Sequence, residues 1–456
     1  MNLKALENIY FVGVGGIGMS ALARYFNTIG VKVYGYDKTK TPLTSALENE
    51  GIEIVYDENL PLPEAFSEFS ENNMVVYTPA VPKDNQLLIA LKKNYQIYKR
   101  AQVLGMLSQN IPTLAVAGTH GKTTTSILIT HLLQTAGIPL VAFLGGIAKN
   151  FNSNMVLNDN PQFMVTEADE FDRSFLTLYP EIAVITSTDA DHLDIYNDEE
   201  TIGKAYQEFA TQVKQLITKP ELTGELKHKN TSTYSIHQPA DAQLLDYSVE
   251  KGQVNATFKI EHAVFKVKLN YPGLHNAENT LAAAYLVYKL GVDIETIKKG
   301  IETFEGVKRR FEFHIKKEDL IFIDDYAHHP AEIKATLNAV KQLYPDFPLT
   351  VIFQPHLFSR TRDFQKEFAQ ALSIAGKVAI LPVYPARELP IEGVSSESIA
   401  QYMDKQKTTL PDKSEIENFL KQNSPKLLVT MGAGDIDKEL ENIKNILLKK
   451  QKSVYE

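Results

Sequence analysis

The chain has 456 residues, 44% of them hydrophobic and 23% charged, with a formal net charge of −9. That length suits about three domains of roughly 150 residues each, and an acidic chain without a basic block argues against a sequence-independent grip on nucleic acid, which relies on Lys and Arg neutralising phosphates. The absence of cysteine excludes disulfides, thiol catalysis and cysteine metal sites; no apolar run nears the roughly 20 residues of a membrane helix, and residues 1–8 lead into a strand pattern without a signal-peptide layout, so a cytoplasmic protein that meets no membrane is expected.

Residues 8–106 read as alternating strands and helices. Ile9-Tyr10-Phe11-Val12 is a buried strand, Ile17 to Thr28 a helix, and Val31 to Tyr36 and Met74 to Tyr77 further strands. Such alternation predicts a parallel sheet covered on both faces. A second block starts near Asn110 with an apolar strand to Ala117, then an amphipathic run from Ser126 to Gln134, with buried strands at Phe163–Thr166 and Ile182–Thr186. From Asp246 to Tyr271 the pattern changes: Thr257–Ile260 and Val264–Leu269 alternate apolar and polar residues. That predicts an antiparallel flap with one wet face. Helical patterns follow at His275–Leu290 and Asp293–Phe304. A third block begins near Phe311, with strands at Leu320–Ile323, Leu349–Phe353, Val378–Leu381 and Leu427–Thr430.

Gly118-Thr119-His120-Gly121-Lys122-Thr123-Thr124-Thr125 lies between a strand and a helix, the layout of a phosphate-binding loop. Its glycines let backbone N–H groups point at phosphate oxygens, and the helix N-terminus adds the positive end of a dipole. Lys122 would reach the terminal phosphates and the Thr123 hydroxyl would hold Mg²⁺. The general spacing G-x-x-x-x-G-K-[ST] would place glycine at 116, where this chain has Val116. Earlier, Gly13-Val14-Gly15-Gly16-Ile17-Gly18 is a G-x-G-x-x-G turn between strand and helix, with Asp37 ending the next strand. It suits a nucleoside diphosphate; with a second phosphate loop downstream, a nucleotide-linked substrate plus ATP is the reading, not NAD in particular.

Carboxylates follow two central strands, in Glu167-Ala168-Asp169-Glu170-Phe171-Asp172 and in Asp189-Ala190-Asp191-His192-Leu193-Asp194. Strand ends of a parallel sheet face the ligand crevice, and Mg²⁺ prefers oxygen ligands and phosphates. His192 stands as either a metal ligand or a helix-start histidine. Asp324-Asp325-Tyr326-Ala327-His328-His329-Pro330 closes the first strand of block three, with Pro330 placed to start a helix. Gln354-Pro355-His356 to Arg360-Thr361-Arg362 closes the next. Arginines and a histidine at a strand end suit carboxylate or phosphate capture.

Together these segments resemble the Mur ligase family, which builds the peptide stem of peptidoglycan. The matching stretches are Gly13–Ser20, Gly118–Thr125, Glu167–Phe175, Asp191–Asp194, His275–Asn279, Lys308–Phe311, Asp324–Pro330, Pro355–Arg362 and Gly432–Ile436, in order along nearly the whole chain. The family uses a shorter glycine pattern, which accounts for Val116. The resemblance implies an α/β fold of three domains: a Rossmann-like N-terminal domain (1–106) for UDP-N-acetylmuramate, a central P-loop ATPase-like domain (107–310) with a mostly parallel sheet for ATP, and a Rossmann-like C-terminal domain (311–456) for the amino acid. It implies Gly15, Gly16, Ile17, Gly18, Met19 and Ser20 near the diphosphate, and Asp37 near the nucleoside. Gly118, Thr119, His120, Gly121, Lys122, Thr123 and Thr124 would cradle ATP, with Asn276 and Asn279 at the adenine, Arg310 at the phosphates and Asp325 at the ribose. Thr123 and Glu167 would hold a first metal and His192 a second, Mg²⁺ or Mn²⁺. His328, His356, Arg360 and Arg362 would surround the incoming amino acid.

The implied chemistry is ATP-dependent amide formation through an acyl phosphate. Lys122, Arg310 and two metals suit phosphoryl transfer, which needs positioning and charge neutralisation. The attacking amine must lose a proton, with His192 and His328 the candidate bases by pKa class. Related ligases use a carbamylated lysine at the second metal; no lysine is assigned that role here. The segment 384–391 resembles the family members that add L-alanine, which implies alanine as the incoming residue, and the alternative is recycling of a ready-made tripeptide. Three domains suggest closure over bound ATP, and a monomer or weak homodimer is expected. Two other classes compete: an NAD-dependent oxidoreductase, which leaves Gly118–Thr125 without a purpose, and a nucleotide-gated binding protein, which needs no amino-acid pocket.

Overall fold

Three sheets organise the protein in a computed structural model that describes residues 3–189, 199–250, 252–386 and 388–455. The first holds β1 (Asn8–Val12), β2 (Lys32–Tyr36), β3 (Glu53–Val55), β4 (Asn73–Tyr77) and β5 (Ile97–Lys99) in the order β3-β2-β1-β4-β5. Every pairing is parallel. Alternation along β1 explains its burial on both faces. Ile9 and Phe11 join one apolar cluster with Leu22 and Phe26 of helix Ile17–Thr28, and Tyr10 and Val12 join another around Phe66 and Leu91. β3 and β5, three residues each, carry too little apolar pattern to be predicted.

The central sheet has ten strands. They are β6 (Thr113–Ala117), β7 (Leu140–Ala148), β8 (Ser153–Leu157), β9 (Phe163–Ala168), β10 (Pro180–Ile185), β11 (Gln215–Thr218), β12 (Thr231–Ser235), β13 (Ala242–Glu250), β14 (Gln253–Ile260) and β15 (Ala263–Leu269). Their order is β15-β14-β13-β12-β11-β10-β6-β9-β7-β8. β6 lies between parallel neighbours β10 and β9, with Ala117 level with Ile185 and Ala168. β7 and β8, antiparallel at the edge, have no counterpart in the sequence reading. The predicted flap is β14 and β15. A two-residue link between hydrogen-bonded neighbours permits only an antiparallel pair, and both strands alternate between buried and more exposed positions. Helix Lys122–Thr135 differs from its predicted amphipathic character: Thr125 through Leu133 are all buried. It is flanked by the sheet and by helix Ile294–Thr303, where Leu132 packs against Gly300 so closely that a Cβ there would stand 2.6 Å from Leu132 Cδ2.

The third sheet holds β16 (Glu312–Lys316), β17 (Ile321–Asp325), β18 (Leu349–Phe353), β19 (Lys377–Ile380), β20 (Thr408–Thr409) and β21 (Leu427–Met431), ordered β16-β17-β21-β18-β19-β20. Only β16 runs antiparallel. Phe322, Ile352, Ala379 and Leu428 face a core completed by Phe419, Leu420 and Ile443.

By compactness the chain divides into two units. One comprises Met1–Leu245, Thr257–Val267 and Glu278–Phe304; the other comprises Asp246–Ala256, Lys268–Ala277 and Glu305–Glu456. Among the described residues no helix is long and apolar enough to cross a membrane.

Candidate active site

In the first unit, the N-terminal glycine turn leaves β1 through Gly13 at φ 89°, a left-handed conformation that favours glycine. Gly13 and Val14 donate backbone hydrogen bonds to Tyr36 O at 2.7 and 2.9 Å. The Asp37 carboxylate accepts from Gly15 N at 2.8 Å and from Thr39 N at 3.2 Å. Asp37, expected at the nucleoside, therefore fastens the turn, and the Gly15 amide is already engaged. The amides of Ile17, Gly18 and Met19 open the helix and have no acceptor within it. Ser20 is fully buried and donates to Ile17 O at 2.9 Å. Asn154, on β8 and also fully buried, donates to Ile17 O at 2.6 Å and Ser20 Oγ at 2.9 Å. Nothing in its sequence surroundings marks it, because the contact joins residues far apart in the chain.

The phosphate loop leaves β6 with Gly118 at φ 125° and caps its helix with Gly121 at φ 83°. Both glycines are also required by crowding. A Cβ at 118 would stand 2.8 Å from Ser187 N and also meet the Thr186 hydroxyl, and one at 121 would meet the Asn279 side-chain oxygen. Asn279 is thus placed directly against the loop, whereas Asn276 donates to Pro272 O at 2.6 Å. The loop is held by neighbouring strand ends: Thr119 Oγ1 donates to Asp189 O at 2.7 Å, and His120 N to Ser187 Oγ at 3.2 Å.

Lys122 Nζ donates to Gly118 O at 2.7 Å and to both oxygens of the buried Glu170, at 2.7 and 3.0 Å. Burial works to lower its pKa, but the carboxylates of Glu170, Asp169 and Glu167 prevail and hold the ammonium above its ordinary value. Burial pushes the Glu167 carboxyl up, against Lys122 and hydrogen bonds from Thr123 and Gly145; Gly145 N donates at 2.8 Å. The Thr123 hydroxyl and the Glu167 carboxylate are thus partners. These hard oxygen donors beside a phosphate loop fit a divalent cation that keeps substrate phosphates as ligands. Among the described residues no group of three or more His, Cys, Asp or Glu side chains could hold a metal unaided. His192 lies outside the described residues. Glu170 and Gly145 were missed as site residues; the first stood within the acidic motif, the second had no signal.

In the second unit, β17, β21 and β18 end flush, with Asp325 and Phe353 both level with Met431. The Asp325 carboxyl, held up at about 6 mainly by burial and against the nearby Arg310, accepts from Phe311 N and Ala327 N, both at 2.8 Å. It fixes the strained turn in which Arg309 and Phe311 have φ of 63° and 47°. The guanidinium groups of Arg309 and Arg310 lie 5.2 and 5.0 Å from the Tyr326 ring centroid. Arg309 is committed to Asp324 at 3.1 Å and Gly432 O at 2.6 Å.

His328 Nδ1 faces Tyr326 O at 3.0 Å, which makes Nδ1–H the donor and leaves Nε2 its lone pair. Burial brings its pKa down to about 4, with Arg360 and Arg310 adding to that effect and Glu332 opposing it. His356 stands ring to ring with His328 at 5.9 Å and stacks on Tyr384 at 5.8 Å. Burial, then His328 and Arg360, lower it to about 4 as well. Its buried Nδ1 has no hydrogen-bond partner among the described residues, so a ligand polar group could satisfy it. The sequence-assigned His328, His356 and Arg360 are therefore brought together. Arg362 is not: it is exposed and paired with Asp363, Nε to Oδ1 at 2.7 Å. Glu388, unassigned from sequence, accepts from Ser359 N at 2.9 Å at the start of the same short helix. Residue 387, within the segment that favoured alanine, lies outside the described residues.

Comparison with known proteins matches three consecutive family models. Residues 8–111 match the Mur ligase family catalytic domain, residues 116–287 the Mur ligase middle domain, and residues 309–434 the Mur ligase glutamate ligase domain. The UDP-N-acetylmuramate–L-alanine ligase of Christiangramia forsetii is 45% identical over 453 residues, covering 98% of this chain and 99% of that protein. That of Flavobacterium psychrophilum is 45% identical over 452 residues, with 98% and 99% covered. The crystal structure of the UDP-N-acetylmuramate–alanine ligase of Thermotoga maritima superposes with a TM-score of 0.81 at 27% identity, covering 98% of this chain and 99% of that one.

Proposed function

The chain belongs to the Mur ligase family, and on that premise we propose that it joins L-alanine to the carboxylate of UDP-N-acetylmuramate, converting ATP to ADP and phosphate, in peptidoglycan precursor synthesis. The observation that carries this reading is likeness along nearly the whole length to relatives bearing that name. The half-buried lysine of the glycine loop, paired with the buried Glu170, and the cluster of His328, His356 and Arg360 agree with it. We assign residues 1–106 to the UDP-sugar, 107–310 to ATP and 311–456 to the amino acid, in a cytoplasmic enzyme.

A carboxylate is a poor electrophile because oxide is a poor leaving group. Attack of the muramoyl carboxylate oxygen on the γ-phosphorus of ATP expels ADP and gives an acyl phosphate, whose leaving group is phosphate. The alanine amine then attacks the acyl carbon, and the tetrahedral intermediate collapses to the amide. Lys122 neutralises charge on the transferred phosphoryl group, and the first-turn amides of helix Lys122–Thr135 orient it. Arg310 would reach the same phosphates. Thr123 and Glu167 would hold Mg²⁺ or Mn²⁺, whose charge offsets that of the phosphates; His192 is assigned to a second ion. Asn279 would border the adenine with Asn276, and Asp325 would serve the ribose side by fixing the 309–311 turn. Arg360 would grip the alanine carboxylate and His356 Nδ1 a polar group beside it. His328, neutral near pH 7, would accept a hydrogen bond from the amine through Nε2; with a pKa of about 4 it is poorly matched to storing the amine proton.

The test is phosphate release from ATP with UDP-N-acetylmuramate and Mg²⁺, comparing L-alanine with the L-Ala-γ-D-Glu-diamino-acid tripeptide. Release with alanine, and the matching mass gain on the UDP-sugar, is expected. Release with the tripeptide alone would move the protein to recycling, and release with neither would sink the ligase reading.

A further inference from the structure

Two consecutive cations stand at the end of β5, Lys99 as its last residue and Arg100 as the first of helix Arg100–Ser108, and the fold treats them differently. Lys99 pairs with Asp172 at 2.5 Å. Arg100 is half-buried, and among the described residues its guanidinium has no hydrogen-bond or ion-pair partner. An arginine kept half out of water with its donors unanswered is arranged for an anion that arrives later.

Its position names the anion. Across the first sheet Val12 is level with Tyr77, and Tyr77 with Lys99. The residues that follow these strands, Gly13, Thr78 and Arg100, therefore share one edge, the carboxyl end of the parallel sheet, where such folds take their ligands. Arg100 also reaches the glycine helix. A Cβ built on Gly18 would stand 2.9 Å from Arg100 Nη1, 3.0 Å from Cδ and 3.2 Å from Cζ. The absence of a side chain at Gly18 is what lets the guanidinium lie against the first turn of helix Ile17–Thr28. The Gly15 amide is held by Asp37, so this turn offers the remaining donors.

We propose that Arg100 is a binding residue for the diphosphate of the UDP-sugar, acting with the first-turn amides of helix Ile17–Thr28. This rests on the UDP-sugar reading of the N-terminal sheet. A planar fork matches two phosphate oxygens at once, and the helix dipole favours the same charge. Lys99 cannot substitute, because it holds Asp172.

The test uses the full chain and reads the KM for UDP-N-acetylmuramate, the KM for ATP, and the inhibition constant of UDP, which keeps the diphosphate and lacks the muramoyl carboxylate. Arg100→Ala is expected to raise the sugar KM and the UDP inhibition constant together, about 10- to 100-fold as for a lost charged hydrogen-bond pair, with the ATP KM unchanged. Arg100→Gln keeps most of the packing on Gly18 and should behave like Arg100→Ala, and Arg100→Lys should fall between. An unchanged UDP constant overturns the proposal, whether or not the sugar KM moves, since the cation would then serve the carboxylate or nothing. An equal rise in the ATP KM in all three variants also overturns it, as a merely structural role. Wild-type protein that binds neither UDP nor the UDP-sugar would instead remove the UDP-sugar reading itself.

Discussion

Lys122 and Glu170 form a bidentate ion pair at 2.7 and 3.0 Å inside the phosphate loop, with the carboxylate fully buried. Glu170 and Gly118 O together fix where the Lys122 ammonium stands. Removing one partner of a buried pair leaves the other uncompensated, which costs about 3–5 kcal/mol. Lys122→Met should abolish ATP turnover, lower stability and leave UDP binding intact. Lys122→Met combined with Glu170→Gln should recover much of the stability and none of the turnover. A denaturant-unfolding cycle with parallel turnover assays checks this; retained turnover in Lys122→Met would discredit the phosphate-loop assignment.

Gly145 sets the position of Glu167. A Cβ there would stand 2.5 Å from the Glu167 carboxyl carbon and meet both its oxygens. Gly145→Ala should push the carboxylate away from Thr123 and raise the Mg²⁺ concentration needed for half-maximal turnover, on the order of ten-fold or more as for other supports of a metal ligand. The UDP inhibition constant should not change. A normal Mg²⁺ titration would count against Glu167 as the ligand.

The two arginines of the 360–362 segment should separate. Arg360 bears on both His328 and His356, whereas Arg362 is exposed and paired with its neighbour Asp363. Arg360→Ala is expected to raise the KM for L-alanine by roughly ten-fold or more, the scale of a hydrogen bond to a charged group. Arg362→Ala should change it less than about two-fold, since exposed pairs contribute little. Equal effects would return Arg362 to the pocket.

Acid should destabilise the second unit. His275, His328 and His356 are each lowered to about 4, by burial first, so the unfolded chain binds more protons than the folded one between about pH 6.5 and 4. Stability then falls with pH through that window, by up to about 1.4 kcal/mol per pH unit for each histidine. Asp325, raised to about 6 by burial, acts oppositely between about pH 4 and 6, since its folded form keeps a proton that the unfolded form releases. Asp324, also raised by burial, acts in the same sense, so the two carboxyls offset part of the histidine slope at its acid end. Denaturant midpoints at several pH values would measure it, and His328→Asn with His356→Asn should remove most of the loss of stability on acidification between about pH 6.5 and 4. An unaltered slope in the double variant would show that those histidines are not buried neutral.

By itself the sequence determined the α/β class, most of the longer strands, the two glycine turns that lead from strand to helix, and three residues, His328, His356 and Arg360, that the fold brings together. Those signals are local: apolar runs mark buried parallel strands, and glycines, Lys-Thr and proline mark turns that one stretch of backbone can specify. The tertiary structure decided what those residues face. It set Asp37 against the Gly15 amide and Glu170 against Lys122, placed Asn154 on the glycine helix and left Arg362 at the surface. It also buried helix Lys122–Thr135 on all sides, which no periodicity forecast, because its second neighbour, helix Ile294–Thr303, lies more than a hundred residues away in the chain. Pairings of that kind depend on sheet order and register, and both are fixed by the packing of distant segments against one another.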